Sequence, residues 1–294
     1  MKKLNMEFKR KPEWLKIKLS KGDDYLKVKE IVKNHQLHTI CESGDCPNLG
    51  ECWSKGTATF LILGNICTRN CRFCNVISGK PLPPDSGEPL SIANSIQLMG
   101  LKHCVITSVD RDDLADFGAE HWVETILKIK ELNPLTTLEV LIPDFQGNKI
   151  LLQKIMDAKP EIISHNLETV ERLTPTIRTK AKYRLSLEVL KYIAQGGLTA
   201  KSGIMLGLGE KEDEILQTMD DLLIAGCKII TIGQYLQPSR QNIMVEEYIT
   251  PEKFEFYRLI ALEKGFEFAE SAPMVRSSYH AENQIKVKGS LKGE

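Results

Sequence analysis

The sequence predicts an α/β protein built from repeated strand–helix units around a parallel sheet. Short apolar runs rich in β-branched residues alternate with longer segments whose apolar residues recur at three and four positions. Several of the longer segments stop at glycine, as at Gly100, Gly196 and Gly226, which is typical of helix C-termini. Together these patterns favour β/α units, in which each helix returns the chain to the next parallel strand.

Six strands are predicted, with helical patterns between them. In chain order the strands cover 57–64, 102–109, 136–143, 160–166, 199–207 and 228–236. The intervening helices cover 91–100, 121–133, 148–158, 183–195 and 212–226. A further helix at 251–265 and a possible short strand at 266–272 come after them.

Six such units can form either an open sheet or a barrel with a gap in its wall. We predict the partial (β/α)6 TIM-type barrel at residues 56–260, with an N-terminal extension (1–55) and a C-terminal extension (261–294). Both layouts bring ligands to the C-terminal ends of the strands. Polar segments follow those ends, among them CTRNCRFC, SVDRDD, PDFQ and HNLE, so the functional site is expected there.

The composition argues against two classes of partner. The 39 basic residues balance the 39 acidic ones, so bulk charge gives no argument for a nucleic-acid partner. No apolar stretch is long enough to span a bilayer, and the basic start lacks the apolar core of a secretory signal. We therefore expect a cytoplasmic protein with no nucleic-acid or membrane partner. Its eight cysteines then point to metal or redox chemistry rather than disulfides.

Three of the cysteines, Cys67, Cys71 and Cys74, form a first set within the eight residues CTRNCRFC. A tetrahedral zinc site needs four ligands, and no histidine lies in this loop. A cubic 4Fe–4S cluster held by three thiolates keeps one iron open to an outside ligand. A zinc or structural site that borrows a distant fourth ligand is the alternative.

The spacing Cys-x-x-x-Cys-x-x-Cys after a first barrel strand, with Phe73 before the third cysteine, resembles the radical S-adenosylmethionine superfamily. The resemblance implies that the open iron chelates the amino and carboxylate groups of S-adenosylmethionine. It also implies that the reduced cluster cleaves the sulfonium and releases a 5′-deoxyadenosyl radical. The protein would hold the cofactor and exclude water.

A second set, Cys41, Cys46 and Cys52, has four and then five residues between its members. This region holds too few cysteines and histidines for two zinc sites, so a second 4Fe–4S cluster is the better interpretation. Its fourth ligand is not evident from the spacing. Cys104 and Cys227 lie in or next to predicted strands, where a cysteine usually serves as a small buried hydrophobic residue.

The two cysteine sets, together with VRSSYHA near the C-terminus, resemble the lipoyl synthase family. KPEWLKIKL, CPNLGECW and ITSVDRDDL are also similar to it, and the match extends from about residue 11 to about residue 283. The resemblance implies that Ser278, with the adjacent Ser277 as the alternative, ligates this auxiliary cluster, which is consumed as the sulfur source. An oxygen donor is mismatched to a thiolate site, so its iron should be lost most easily. Without the cysteines, RSSY would be an ordinary polar turn.

The resemblance also guides the assignment of S-adenosylmethionine contacts. Asn166 and Glu168 follow the fourth strand and are expected at the ribose, since a carboxylate accepts both hydroxyl protons. The Arg178 guanidinium is expected to pair with the methionyl carboxylate. Thr107 and Ser108 are assigned to the methionyl amino end, and the Phe73 backbone to adenine. The alternatives are an Asx-turn, a solvated arginine and plain strand-end hydroxyls. His165 is either a substrate contact or simply hydrogen-bonded in place.

The implied activity is insertion of sulfur at C6 and C8 of a protein-bound octanoyl-lysine group. The implied partners are an octanoylated lipoyl carrier domain or a glycine-cleavage H-type protein, an electron donor such as ferredoxin or flavodoxin, and an iron–sulfur cluster carrier. The N-terminal thirty residues are rich in lysine and arginine, including Lys9, Arg10 and Lys11, and either steer an acidic carrier or form a solvated face. The rivals are a radical enzyme of another reaction class and a non-enzymatic iron–sulfur or zinc protein.

Overall fold

The computed structural model describes residues 10–16, 23–55 and 57–284. Ten strands are assigned there: β1 (His38–Thr39), β2 (Thr59–Ile62), β3 (Ile66–Cys67), β4 (Ile77–Ser78), β5 (His103–Ser108), β6 (Thr137–Leu141), β7 (Ile162–Ser164), β8 (Thr199–Leu206), β9 (Ile229–Gln234) and β10 (Phe268–Ser271). The α-helices are α1 (Asp23–Asn34), α2 (Ile40–Ser43), α3 (Leu49–Ser54), α4 (Glu88–Met99), α5 (Ala119–Leu132), α6 (Lys149–Asp157), α7 (Thr174–Ile177), α8 (Tyr183–Gln195), α9 (Glu212–Ile224) and α10 (Pro251–Lys264). Short 3₁₀ turns cover Glu13–Leu15, Phe145–Gly147 and Ala281–Gln284.

Eight strands form one sheet in the order β1-β2-β5-β6-β7-β8-β9-β10. Every neighbouring pair is parallel except β1 with β2, which is antiparallel. The six predicted strands correspond to β2 and β5 to β9, and each lies inside its predicted range. The α/β fold class and the partial barrel are confirmed. β10 is the predicted short strand, whereas the two-residue β1 was not predicted because it carries no apolar run.

The core lies between the sheet and the helices that connect its strands. Residues of β2 and β9 are buried along their whole length, as expected for parallel strands covered on both faces. On α5, Trp122, Ile126 and Ile129 form one fully buried stripe at helical spacing. Burial of each such side chain contributes about 1.5–3 kcal/mol. The isolated Cys104 and Cys227 are buried in this core, as predicted.

The glycines predicted at helix ends lie at the ends of α4, α8 and α9. Gly100 and Gly226 follow α4 and α9 with φ of +62° and +86°, the left-handed conformation that favours glycine. Gly196 is the C-cap of α8 with φ of −74°, and the next residue, Gly197, takes the positive φ of +81°. The prediction that these helices end at glycine is therefore confirmed, although at α8 the left-handed residue is the second of two glycines.

The C-terminal segment (residues 272–279) runs from β9 to β2, two strands near opposite edges of the sheet. Ala272 N donates to Ile232 O, and Gln234 N donates to Pro273 O, both at 3.2 Å. At the far end, Thr59 Oγ1 of β2 donates to Ser278 Oγ at 2.8 Å. The segment therefore bridges the open side of the barrel, using residues that the sequence places in the C-terminal extension.

Glycine at position 233 allows this close approach. A Cβ on Gly233 would lie 2.1 Å from the carbonyl oxygen of Val275, so no larger residue fits while the segment stays in place.

The predicted division into an N-terminal extension, a barrel and a C-terminal extension stays a prediction. Both extensions nevertheless contribute a strand to the sheet, β1 and β10. In the described part of the chain, no helix has the length and apolar character that crossing a membrane requires.

Candidate active site

A cavity of about 640 Å³, the larger cavity, lies at the C-terminal ends of the central strands. Its walls come from the loop after β2 and from residues that end or follow β5 to β9. This is the edge where a barrel binds its ligands. All residues predicted to contact S-adenosylmethionine line it: Phe73, Thr107, Ser108, Asn166, Glu168 and Arg178.

The first cysteine set also lines the larger cavity. Backbone N–H groups point at two of its sulfurs: Arg69 N and Asp110 N each lie 3.4 Å from Cys67 Sγ, and Val76 N lies 3.5 Å from Cys74 Sγ. Such donors orient sulfur ligands and tune the potential of a cluster. These contacts fix the loop around two of its sulfur atoms.

Burial controls the protonation of these thiols. It raises the pKa of Cys71 to about 12, with Asp110 adding to the shift, and it raises the pKa of Cys74 to about 11. At neutral pH both side chains are thus neutral thiols unless a cation is present. A coordinated thiol is deprotonated outright, because the metal supplies the missing positive charge. The set suits a cationic cluster better than a nucleophilic role, which needs a thiolate at neutral pH.

Arg69, inside the cysteine loop, ties it to two neighbouring loops. Its guanidinium makes two hydrogen bonds to Asp112, at 2.8 and 2.9 Å, and two to Asp144, both at 2.8 Å. Burial would raise the pKa of Asp144, but the hydrogen bonds from Arg69 hold it at about 2. Arg69, Asp112 and Asp144, the Arg69 clamp, were not predicted to interact because they lie in three separate loops. The only sign of this contact in the sequence was the acidic residues that follow the second and third predicted strands.

Replacing Arg69 with Met is expected to lower the free energy of unfolding by about 3–5 kcal/mol, because it leaves two poorly exposed carboxylates without their partner. Denaturant unfolding of the reduced, metal-free protein measures this change. Lys180→Met is the matched control, because Lys180 contacts the same Asp112 but is 56% exposed, so its pair contributes about 0–1 kcal/mol. Equal losses for the two variants would contradict the clamp.

Two polar atoms in the larger cavity lack a partner. Ser108 Oγ and Asn166 Oδ1 are buried and accept or donate no hydrogen bond within the described residues. Such orphaned groups are rare in native proteins, and each costs about 1–3 kcal/mol. Both belong to the predicted contacts of S-adenosylmethionine. A polar ligand in this cavity would satisfy them, so the residues present fit the cofactor.

Asn166, Glu168 and Arg178 stand together on one wall. Asn166 Nδ2 donates to Glu168 Oε1 at 3.1 Å, and Glu168 has a strained φ of +67°. Burial raises the pKa of Glu168, whereas the nearby Arg178 lowers it. Arg178 is anchored through Nη1, which donates to Leu167 O at 3.2 Å. The structure thus brings the three predicted residues together, and their roles stay predictions.

His165 lines the same cavity, but both of its ring nitrogens are engaged. Nδ1 lies 2.9 Å from Ile142 O, and Nε2 lies 2.9 Å from Ser186 Oγ. Burial lowers the pKa of His165 to about 4, so the ring is neutral at physiological pH. These contacts favour the simpler of the two interpretations, a histidine that is hydrogen-bonded in place.

The second cysteine set lines a smaller cavity of about 530 Å³, together with Ser278. Cys41, Cys46 and Ser278 also line the larger cavity, so the second set lies between the two spaces. Burial raises the pKa of Cys52 to about 12, and the Cys41 and Cys46 thiols add to that shift. The structure brings together residues that are more than 200 positions apart in the sequence.

The two serines of RSSY have different surroundings. Ser278 Oγ accepts from Thr59 Oγ1, and Ser278 lines both cavities, as Cys41 and Cys46 do. Ser277 Oγ instead accepts from Asn166 Nδ2 at 2.7 Å. Which of the two serines is the oxygen ligand stays a prediction.

All eight cysteines are free of disulfides. Among the residues described, no three histidine, cysteine or carboxylate side chains are placed to hold a metal ion. A cubane spreads its ligands over four irons, whereas zinc draws them onto one centre. Free thiols in two sets of three, without histidine in either set, are therefore a better chemical match to cubanes than to zinc.

Comparison with known proteins identifies the class. The model of the radical SAM superfamily matches residues 61–222, which is more than half of the chain. Among solved structures, methylornithine synthase aligns with a TM-score of 0.56 at 11% identity, covering 87% of this chain and 80% of that one. Streptococcus suis SuiB bound to S-adenosylmethionine aligns at 0.59 and 10% identity, covering 76% and 54%. The chain is a radical S-adenosylmethionine enzyme, whose cofactors include a 4Fe–4S cluster and S-adenosylmethionine.

Closer relatives identify the family. The model of the N-terminal domain of lipoyl synthase matches residues 1–46. The lipoyl synthase of Parabacteroides distasonis is 64% identical over 276 residues, covering 94% of this chain and 98% of that protein. That of Phocaeicola vulgatus is 62% identical over 284 residues, covering 97% and 100%. The chain belongs to the lipoyl synthase family, as its motifs indicated, and the non-enzymatic alternative is excluded.

Proposed function

We propose that this chain inserts two sulfur atoms, at C6 and C8, into an octanoyl group carried on a lysine of a small carrier protein. One observation carries the proposal: the first cysteine set borders the same larger cavity as Cys41, Cys46 and Ser278 of the proposed second site. A substrate in that cavity can meet a radical source on one side and a sulfur source on the other. The relatives of this chain that are named lipoyl synthase support the same activity.

When bound, the first cluster with S-adenosylmethionine would supply a carbon radical, and a second 4Fe–4S cluster on Cys41, Cys46, Cys52 and Ser278 would supply sulfide. A radical is required because acid–base groups cannot remove hydrogen from unactivated methylene carbons at neutral pH. The chain's task is to hold these parts and keep water away from them.

Apolar side chains make part of the larger cavity suitable for an acyl chain. Leu141, Ile142, Ile204, Leu236 and Val275 contribute to its lining. Burying each methylene of the substrate would contribute about 0.8 kcal/mol. Polar residues also contribute to the lining, at Asn166, Glu168 and Arg178, where S-adenosylmethionine is expected. Glu168 pairs with Ile204 through a β-bridge, so the polar and apolar residues proposed for the two ligands lie next to each other.

The decisive experiment uses anaerobically reconstituted protein with an octanoylated carrier domain. The expected result is a product heavier by two sulfur atoms, together with loss of sulfide from the second cluster during a single turnover. Material that carries a single cluster, or keeps both intact through turnover, would contradict the proposal. The assay also separates a radical enzyme of another reaction class, which would leave the octanoyl group without sulfur.

The proposed protein partners are the octanoylated carrier, an electron donor such as ferredoxin or flavodoxin, and an iron–sulfur cluster carrier. Arg10 and Lys11 are exposed, and Lys11 also lines the larger cavity, which supports carrier docking at its mouth. Lys9, part of the same basic run, lies outside the described residues. The free thiols are consistent with the cytoplasm as the proposed compartment.

Reversing the basic run, with Lys9, Arg10 and Lys11 all replaced by Glu, is expected to slow carrier association about tenfold at low salt. Stopped-flow binding of a labelled carrier measures the rate, and the difference should shrink at high salt because screening weakens steering. Lys191→Glu, on the exposed face of α8, is the control and should have little effect. An unchanged association rate at low salt would rule out steering by this run.

A further inference from the structure

A buried ion pair inside the barrel makes a contact that the site described so far does not use. Lys201 of β8 and Glu139 of β6 have 0% side-chain exposure, and Lys201 Nζ lies 2.8 Å from Glu139 Oε1 and 2.9 Å from Oε2. Ser164 Oγ, on the strand between them, donates to the same carboxylate at 2.7 Å. Lys201 Nζ also donates to the backbone carbonyl of Ser277 at 2.7 Å.

A buried ion pair contributes less to the stability of a core than its attraction alone would suggest. Desolvation of two charges commonly exceeds their attraction, and apolar residues of similar volume often give equal or better stability. Burial lowers the pKa of Lys201, and the Glu139 carboxylate opposes that change. Leu or Met at these positions would therefore stabilise the barrel about as well as the pair does. Apolar residues could not, however, donate a strong hydrogen bond to the Ser277 carbonyl.

The position of that carbonyl matters because it belongs to the peptide unit between Ser277 and Ser278. The unit is planar, so a hydrogen bond to the oxygen of Ser277 also fixes the Cα of Ser278. The hydroxyl of Ser278 is then set by Thr59 Oγ1 at 2.8 Å. Earlier residues of the segment are held elsewhere, for example by Asn48 Nδ2 on Met274 O at 2.7 Å. Lys201 thus acts on the peptide that carries the proposed oxygen ligand.

We propose that Lys201, supported by Glu139, is a positioning residue for the second cluster, because it holds the Ser277–Ser278 peptide where Ser278 Oγ can complete the ligand set. This inference rests on the proposed function, in which Ser278 ligates that cluster. Neither residue lines the larger cavity, so neither contacts the substrate or S-adenosylmethionine. Their influence is confined to the stability and geometry of the second cluster.

The test compares the double variant Lys201→Met/Glu139→Gln with the unsubstituted protein after anaerobic reconstitution. The double variant removes both charges, so it leaves no unpaired buried ion and is designed to fold, yet it cannot reach the Ser277 carbonyl. Losing one charge-assisted hydrogen bond predicts about a tenfold faster removal of the second cluster's iron by a chelator. The Mössbauer doublet of the oxygen-ligated iron should broaden or disappear. Reductive cleavage of S-adenosylmethionine should be unchanged, because the first cluster is untouched.

Two further variants isolate the contact. The double variant Lys201→Gln/Glu139→Gln also removes both charges, but its amide is one atom too short to reach Ser277, so it should reproduce the labile second cluster even if the Met-containing double variant is unstable. Glu139→Gln keeps Lys201 and its bond to Ser277, so its second cluster should resemble that of the unsubstituted protein. A folded double variant with unchanged iron release and an unchanged Mössbauer spectrum overturns the inference. About four rather than about eight irons in the unsubstituted protein would overturn the proposed function itself.

Discussion

Ser278→Ala is expected to reduce sulfur insertion at least about a hundredfold while leaving the reductive cleavage of S-adenosylmethionine intact. The substitution removes the hydroxyl of Ser278, a residue that lines both cavities with Cys41 and Cys46, and it leaves the first set unaltered. Product mass after a single turnover gives the first quantity, and release of 5′-deoxyadenosine gives the second. Loss of sulfur insertion without loss of S-adenosylmethionine cleavage is the result expected for a residue that ligates the sulfur source.

Ser277→Ala is the matched control. Its hydroxyl accepts from Asn166, but the carbonyl bonded to Lys201 is retained, so sulfur insertion should fall much less. If Ser277→Ala abolished insertion and Ser278→Ala did not, the ligand assignment between the two serines would be reversed. Ser278→Cys adds a third case: a thiolate should hold the cluster more firmly and slow its loss during turnover.

Cys71→Ala is expected to abolish reductive cleavage of S-adenosylmethionine entirely, because a cubane with two protein thiolates in this loop is not retained. Bound iron should fall from about eight to about four per chain, since the second cluster is held by other residues. Iron and sulfide analysis of the reconstituted protein, with release of 5′-deoxyadenosine, measures both effects. Cys71 lines the larger cavity with Cys67 and Cys74, and its thiol has no disulfide partner.

Cys104→Ala provides the comparison for that experiment. Cys104 is buried in β5 with 1% exposure, and the substitution deletes a single sulfur from the core, at an expected cost of about 1 kcal/mol in stability. Both clusters and both activities should persist. If Cys71→Ala still cleaved S-adenosylmethionine, or if Cys104→Ala lost as much iron as Cys71→Ala, the proposed ligand set of the first cluster would be contradicted.

Most of the fold could be predicted from the sequence because local patterns encode it. The runs of β-branched residues located six strands, and the three-and-four spacing located the helices between them. The antiparallel β1 escaped prediction because His38–Thr39 is too short to show a period. Which glycine at a helix end is left-handed depends on the exact turn: Gly196 caps α8, whereas Gly197 has the positive φ.

The candidate site was predictable where a motif carries the chemistry and unpredictable where the contact is long-range. The cysteine spacings and RSSY marked both proposed cluster sites, and the cavities bring those residues together. The Arg69 clamp and the Lys201–Glu139 pair were missed. A lysine inside an apolar strand gives no hint of its partner when that partner, Ser277, lies 76 residues away.

The bridge between β9 and β2 has a consequence for when the enzyme can be assembled. Thr59 and Ser278 are separated by 219 positions, so the proposed second site cannot be completed before Ser278 has been synthesised. The first cysteine set, by contrast, is contained in eight consecutive residues. All cysteines proposed to hold the first cluster are therefore synthesised well before Ser278, the last ligand proposed for the second.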